Sequence, residues 1–116
     1  MQRILIVKDE PFTALDLEAI VTAAMPAVVV KKASVASTKE VLDEPFDFAF
    51  LDVDVTNGKT YEIAQILGKK RVPFAFVSGS LPADLPPELR NAPFIPKPFR
   101  KQQIMTALQS ARPLSL

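Results

Sequence analysis

A chain of 116 residues, 48% of them apolar, has the material for one compact domain around a single core and no room for a second. Fourteen basic residues against thirteen acidic leave a formal charge of +1, so no global field favours nucleic acid or a membrane surface and any charge effect must be local. Cysteine and histidine are both absent, which excludes disulfides, thiol nucleophiles, imidazole bases and the ligands zinc prefers, and leaves carboxylates, hydroxyls and amines for chemistry.

At the N-terminus, MQRILIVKDE lacks the long apolar stretch and small-residue cleavage site of a signal peptide. No apolar run approaches the ~20 residues of a membrane span, so a cytoplasmic protein is expected. Instead RILIV (3–7) reads as a buried strand. The spacing of Leu17, Ile20, Val21 and Ala24 predicts a helix over about 13–24, and AVVVKKA (27–33) a second strand. Ser37 followed by Glu40 reads as a capping box that starts the next helix, with Val41 and Leu42 on its buried side. FDFAFL (46–51) is a third strand, Asn57-Gly58 a turn, and Ile63, Ile66 and Leu67 a helical stripe with Gly68 as its stop. PFAFV (73–77) and PFI (93–95) are the last strands. Between them, residues 80–96 hold five of the eleven prolines, so the fourth helix is reduced to a turn or two around 84–90, or is absent. Ile104, Ala107, Leu108 and Ala111 close the chain as a helix.

Strand alternating with helix implies a parallel sheet covered on both faces, because each parallel connection needs a right-handed crossover. In such sheets ligands gather beyond the carboxyl ends of the strands, where strand order reverses. That rule collects scattered residues into one candidate site. The first strand delivers Lys8, Asp9 and Glu10 to the rim, the third Asp52 with Asp54 beyond it, the fourth Ser78 and Gly79, and the fifth Lys97.

Asp9, Asp52 in FLDVD, Ser78 in FVSGS and Lys97-Pro98 in PKPF stand in order, each at a strand end. By these residues the chain resembles the receiver domain of bacterial two-component response regulators over nearly its whole length. The resemblance implies one receiver domain over 1–116, an α/β doubly wound five-stranded parallel sheet of flavodoxin-like order 2-1-3-4-5, with helix four short or irregular. It makes Asp52 the phosphoacceptor, Lys97 the partner of the phosphoryl oxygens, and Ser78 the switch hydroxyl with Phe94 the aromatic that responds. Burial in the core is the competing reading of Phe94. It implies magnesium held by Asp9, Asp52 and the backbone carbonyl of Asp54, with Glu10 a further candidate through water, and a cis Lys97-Pro98 bond. The chemistry is sound on its own terms: a carboxylate can attack phosphorus, provided the charge of the donor is neutralised. The partners implied are a sensor histidine kinase or histidine phosphotransfer protein, docking on the first helix, and a downstream protein. No nucleic acid or membrane partner is expected. No enzymatic activity is expected beyond the domain's own phosphorylation and dephosphorylation.

Two features depart from the family. Receivers place an acid immediately before the Asp9 position, and this chain has Lys8. Its ammonium can lean into the pocket toward Asp52 or Asp9, or swing out with its stem on apolar surface; a pseudo-receiver that binds partners without phosphate is the alternative function. The second is the proline-rich 80–96 region. Within the family, KDEP, LDLEAIV and the glycine after Ser78 look closest to single-domain receivers serving stress-response kinases of alphaproteobacteria, though their aromatic after that glycine is replaced by Ser80-Leu81. Because the chain ends soon after the last helix, a stand-alone receiver with output by protein contact is expected. A flavin carrier can share the strand order, but KDEP repels a phosphate, tryptophan is absent and Tyr61 is the sole tyrosine. A metal-dependent phosphohydrolase ranks last, since the chain leaves no cap domain.

Overall fold

A computed structural model describes residues 1–111. Its elements in chain order are β1 (Gln2–Val7), α1 (Pro11–Ala24), β2 (Ala27–Lys32), α2 (Val35–Lys39), β3 (Phe48–Leu51), β4 (Asp54–Val55), β5 (Gly58–Lys59) and α3 (Tyr61–Lys69). Then come β6 (Phe74–Ser78), two 3-10 turns at Pro82–Asp84 and Pro87–Leu89, β7 (Phe94–Pro96) and α4 (Lys101–Gln109). The main sheet is parallel, in the order β2-β1-β3-β6-β7. Counted among its own five strands this is 2-1-3-4-5, the flavodoxin-like order expected.

Continuous apolar strands build two cores, one on each face of the sheet. Leu5 and Val7 of β1 join Leu51, Phe74 and Phe76 on the α3 side. Ile4 and Ile6 join Phe50, Leu17 and Ile104 on the side of α1 and α4. Alternate residues of one strand point to opposite faces, so both cores draw on β1 and lock its register. At roughly 25 cal/mol per Å² of apolar surface removed from water, these layers dominate the stability of the domain.

The helices differ from expectation in detail. Glu10 caps α1 and starts it at Pro11. The buried stripe is Ala14, Leu17 and Val21; Ala24 is exposed and Met25, just past the helix, packs on the core in its place. The capping box of α2 belongs to Ser34 and Ser37, not to Ser37 and Glu40: the Ser34 hydroxyl accepts from the Ser37 amide, and the Ser34 amide donates to the Ser37 hydroxyl. Glu40 is instead the C-cap of a five-residue helix. Gly68 lies buried inside α3, and the reversal after the helix falls on Arg71 at φ +60°. Ala111 lies beyond the end of α4 and is exposed.

Between β3 and α3 the chain makes a small antiparallel ribbon, β4 with β5, which the sequence reading reduced to a turn. Asn57, the second residue of the two-residue turn, takes φ +73°, and Gly58, which opens β5, takes φ +131°. The fourth helix is absent; its proline-rich stretch forms the two 3-10 turns, pinned by buried Leu85 and Leu89. Among the described residues no helix is long and apolar enough to cross a membrane.

Candidate functional site

Backbone ladders that continue past the strands bring the candidate residues to one rim. The Lys8 amide donates to the Lys32 carbonyl, the Asp52 amide to the Val7 carbonyl, and the Lys97 amide to the Ser78 carbonyl. Each is a further rung of a parallel pair, so Lys8, Asp52, Ser78 and Lys97 sit at the carboxyl edge of four neighbouring strands. The Lys97-Pro98 bond is cis.

Asp52 is buried, with 6% of its surface exposed. Its Oδ1 accepts from the Val53 amide at 2.9 Å. Its Oδ2 accepts from two ammonium groups, Lys97 Nζ at 3.0 Å and Lys8 Nζ at 3.3 Å. Lys8 therefore leans into the pocket rather than out to solvent: none of its side chain is exposed, and Nζ also donates to the Val77 carbonyl at 2.9 Å. Burial pulls its pKa from 10.5 to about 8; Asp52 opposes the shift and Lys97 adds to it. The group stays charged at neutral pH. Lys97 is the more accessible, with 31% of its side chain exposed.

The remaining candidates are spread around this pair of contacts. Asp9 is exposed at the rim. Glu10 turns away from the pocket: its carboxylate accepts from the Phe12 and Thr13 amides and the Thr13 hydroxyl, and that hydroxyl is the main reason its pKa falls. Asp54 is exposed and its carboxylate pairs with Lys59 across the β4-β5 ribbon. Ser78 is buried; its Oγ accepts from the Ser80 amide at 3.2 Å. Phe94 is half-buried, its ring 6.3 Å from that of Phe76.

A residue the sequence reading passed over, Thr60, is fully buried. Its hydroxyl donates to the Asp52 carbonyl at 2.5 Å, and its amide donates to Val53 O at 3.0 Å. Thr60 thus fixes the backbone on which the Asp52 carboxylate is mounted. A threonine eight residues after a strand-end acid carries no signal by itself; only the ribbon that folds back between them makes it a neighbour.

These residues do not assemble a divalent-ion site. Hard cations want several oxygen ligands around an open position, yet Oδ2 of Asp52 is engaged by two ammonium groups and Glu10 is committed to a helix cap. Among the described residues no three acidic or other ligating side chains cluster.

No protein-family model matches the chain, and no curated protein matches it by sequence. Solved structures do. SdrG from Sphingomonas melonis Fr1 is 31% identical over 94% of both chains, with a TM-score of 0.76. The non-phosphorylated HemR receiver domain from Leptospira biflexa is 24% identical, covering all of this chain and 96% of its own, with a TM-score of 0.79. The receiver domain of sensor histidine kinase PA1611 from Pseudomonas aeruginosa PAO1, solved with a magnesium ion in its active-site cleft, is 19% identical over 93% of this chain and 94% of its own, with a TM-score of 0.72. Fold and strand order therefore define a flavodoxin-like α/β domain. The chain belongs to the receiver-domain family of response regulators.

Proposed function

We propose that the protein is a phosphoacceptor switch of two-component signalling, taking a phosphoryl group on Asp52 from a phosphohistidine of a sensor kinase or phosphotransfer protein. The observation that carries this reading is the double lysine clasp on one oxygen of a buried strand-end carboxylate. A carboxylate oxygen forms a bond to phosphorus while the bond from phosphorus to the donor nitrogen or oxygen breaks, leaving an acyl phosphate. Lys97, partly exposed, neutralises the incoming group as it arrives.

Phosphorylation adds charge and acceptor oxygens beside Ser78. Its hydroxyl, now only accepting from the Ser80 amide, has its proton free to donate to the phosphoryl group, and that pull on the loop after β6 is the switching event. Phe94, one strand over and half-buried, is the residue whose packing follows. Output is by protein contact, in the cytoplasm. The kinase docks on α1, where Phe12 and Leu15 are exposed at 76% and 51%; Thr13, Asp16 and Ile20 of the same helix line a cavity with Lys97 and Phe99.

Magnesium is the cofactor to which the family resemblance leads. Asp9, Asp52 and the Asp54 carbonyl are what this chain has left to offer it, with the Lys8 ammonium standing against the central carboxylate. The same ammonium favours a second reading, an interaction module that never carries phosphate, because the pair it forms with Asp52 resembles a pocket already neutralised. Exposure to acetyl phosphate followed by intact mass separates the two. A mass gain of one phosphoryl group that is lost in Asp52→Asn supports the switch; no gain under any metal condition, nor from a cognate kinase, leaves the module.

A further inference from the structure

The charged groups in contact at the rim are Asp52, Lys8 and Lys97, and together they carry one net positive charge. Adding a divalent ion raises that set to three positive charges, and Oδ2 of Asp52 already accepts from two ammonium groups at 3.0 and 3.3 Å. Lys8 is not a passing surface lysine. None of its side chain is exposed, and the Val77 carbonyl holds its Nζ at 2.9 Å against the β6 end of the rim. A lysine on a flexible stem is ordinarily a mobile point charge; here burial and two acceptors fix it.

The donor supply also fits an anion. An ammonium carries three N–H groups. Lys8 commits two of them, to Asp52 and Val77, and Lys97 commits one, to Asp52. One N–H on Lys8 and two on Lys97 are left for oxygens entering the pocket. A phosphoryl group brings three strongly accepting oxygens and about two negative charges at neutral pH, in place of the single charge of the free carboxylate.

From this we infer that Lys8 is a built-in counter-cation: Asp52 takes up and retains a phosphoryl group without a divalent metal, the tethered ammonium supplying the positive charge beside the reacting carboxylate. The inference rests on the reading of Asp52 as phosphoacceptor. With acetyl phosphate as donor the step balances without further reagents. An Asp52 carboxylate oxygen bonds to phosphorus, the bond between phosphorus and the acetate oxygen breaks, and acetate departs with its electron pair. No proton or electron need be supplied.

The test compares phosphoryl uptake by the wild type, Lys8→Met and Lys8→Glu from acetyl phosphate, each in excess magnesium and in excess chelator, read by intact mass. Each protein is checked for folding by circular dichroism, and binding is measured by calorimetric titration with magnesium alone. The expected result is uptake by the wild type at the same rate in chelator and in magnesium, with no heat of magnesium binding. Lys8→Met slows chelator uptake by about a hundredfold, the scale on which removing one charge-stabilising donor acts. Lys8→Glu binds magnesium and takes up phosphate only in its presence. Uptake by the wild type that requires magnesium overturns the inference and leaves the proposed function standing. No uptake by the wild type in either condition, with uptake restored in Lys8→Glu by magnesium, overturns the inference, and the proposed function falls with it when a cognate kinase also fails to phosphorylate the wild type.

Discussion

An ammonium held away from water costs free energy that one carboxylate and one carbonyl only partly return, and Lys8 is such a group. Its folded pKa of about 8 lies below the ordinary 10.5. Between those values the unfolded chain holds more protons than the folded one, so stability rises as pH climbs through that window and is lowest below it. The gain across the window is at most ~3 kcal/mol, from the free-energy equivalent of each pH unit. Urea unfolding on either side of the window measures it, and the difference between wild type and Lys8→Met isolates it from the other lysines. A wild-type curve parallel to that of Lys8→Met contradicts the burial cost. The converse substitution, Asp52→Ala, leaves Lys8 buried with only the Val77 carbonyl and is expected to cost about 3 kcal/mol, the usual penalty for orphaning a buried charge. In the Lys8→Met background that cost shrinks; equal costs in both backgrounds exclude a coupling between the two side chains. Asp52 and Lys97 were legible in the sequence because strand ends in a parallel sheet share one rim. The direction of Lys8 was not, since its stem can reach either the pocket or solvent, and only the packed ends of β3 and β6 decide.

At the scale of elements, the five strands were readable because each is a short unbroken apolar run, the mark of a strand covered on both faces. The β4-β5 ribbon was not, because two-residue strands have no period to read. Its role is nevertheless mechanical: it returns the chain so that Thr60 meets the carbonyl of Asp52. Thr60→Val keeps the shape and removes the hydroxyl, stranding a buried acceptor, and is expected to lower stability by ~1–3 kcal/mol. Thr60→Ser keeps the hydroxyl and is expected to lose less. Urea denaturation of both ranks them; a stable Val variant beside an unstable Ser variant shows that the methyl group, not the hydrogen bond, holds the loop. The α2 cap differs from the expected one for a related reason. Ser34 and Ser37 share the spacing of Ser37 and Glu40, so the pattern alone fits two registers, and the choice is made by β2 ending at Lys32. Ser34→Ala is expected to cost ~1 kcal/mol.

Across the whole molecule, the candidate switch residues lie to one side. Ser78 ends β6, while Phe94 and Lys97 belong to β7 and the loop beyond it, at the far edge of the sheet from β2. Where a fourth helix is usual in the fold, the connection between β6 and β7 is built from prolines and 3-10 turns. Their few internal hydrogen bonds include those from Leu85 to Pro82 and from Leu89 to Pro86. Buried Leu85 and Leu89 anchor it, and outer contacts such as Gln65 to Glu88 tie it to α3. A segment held by a few buried anchors and short turns opens at low free-energy cost compared with a core strand. Amide hydrogen exchange in the unmodified protein is therefore expected to be fast over 80–92 and slow in β1 and β3, which lie between the two cores. After acetyl phosphate treatment, exchange is expected to slow from Ser78 through 97, as the Ser78 hydroxyl and the lysines close on the phosphoryl group, while β2 and the N-terminal half of α1 keep their rates. Mass-spectrometric exchange before and after phosphorylation resolves these segments. Slowing spread evenly over the sheet, or confined to β2, means that the charge placed on Asp52 is felt as a general gain in stability and not transmitted through the β6-β7 edge.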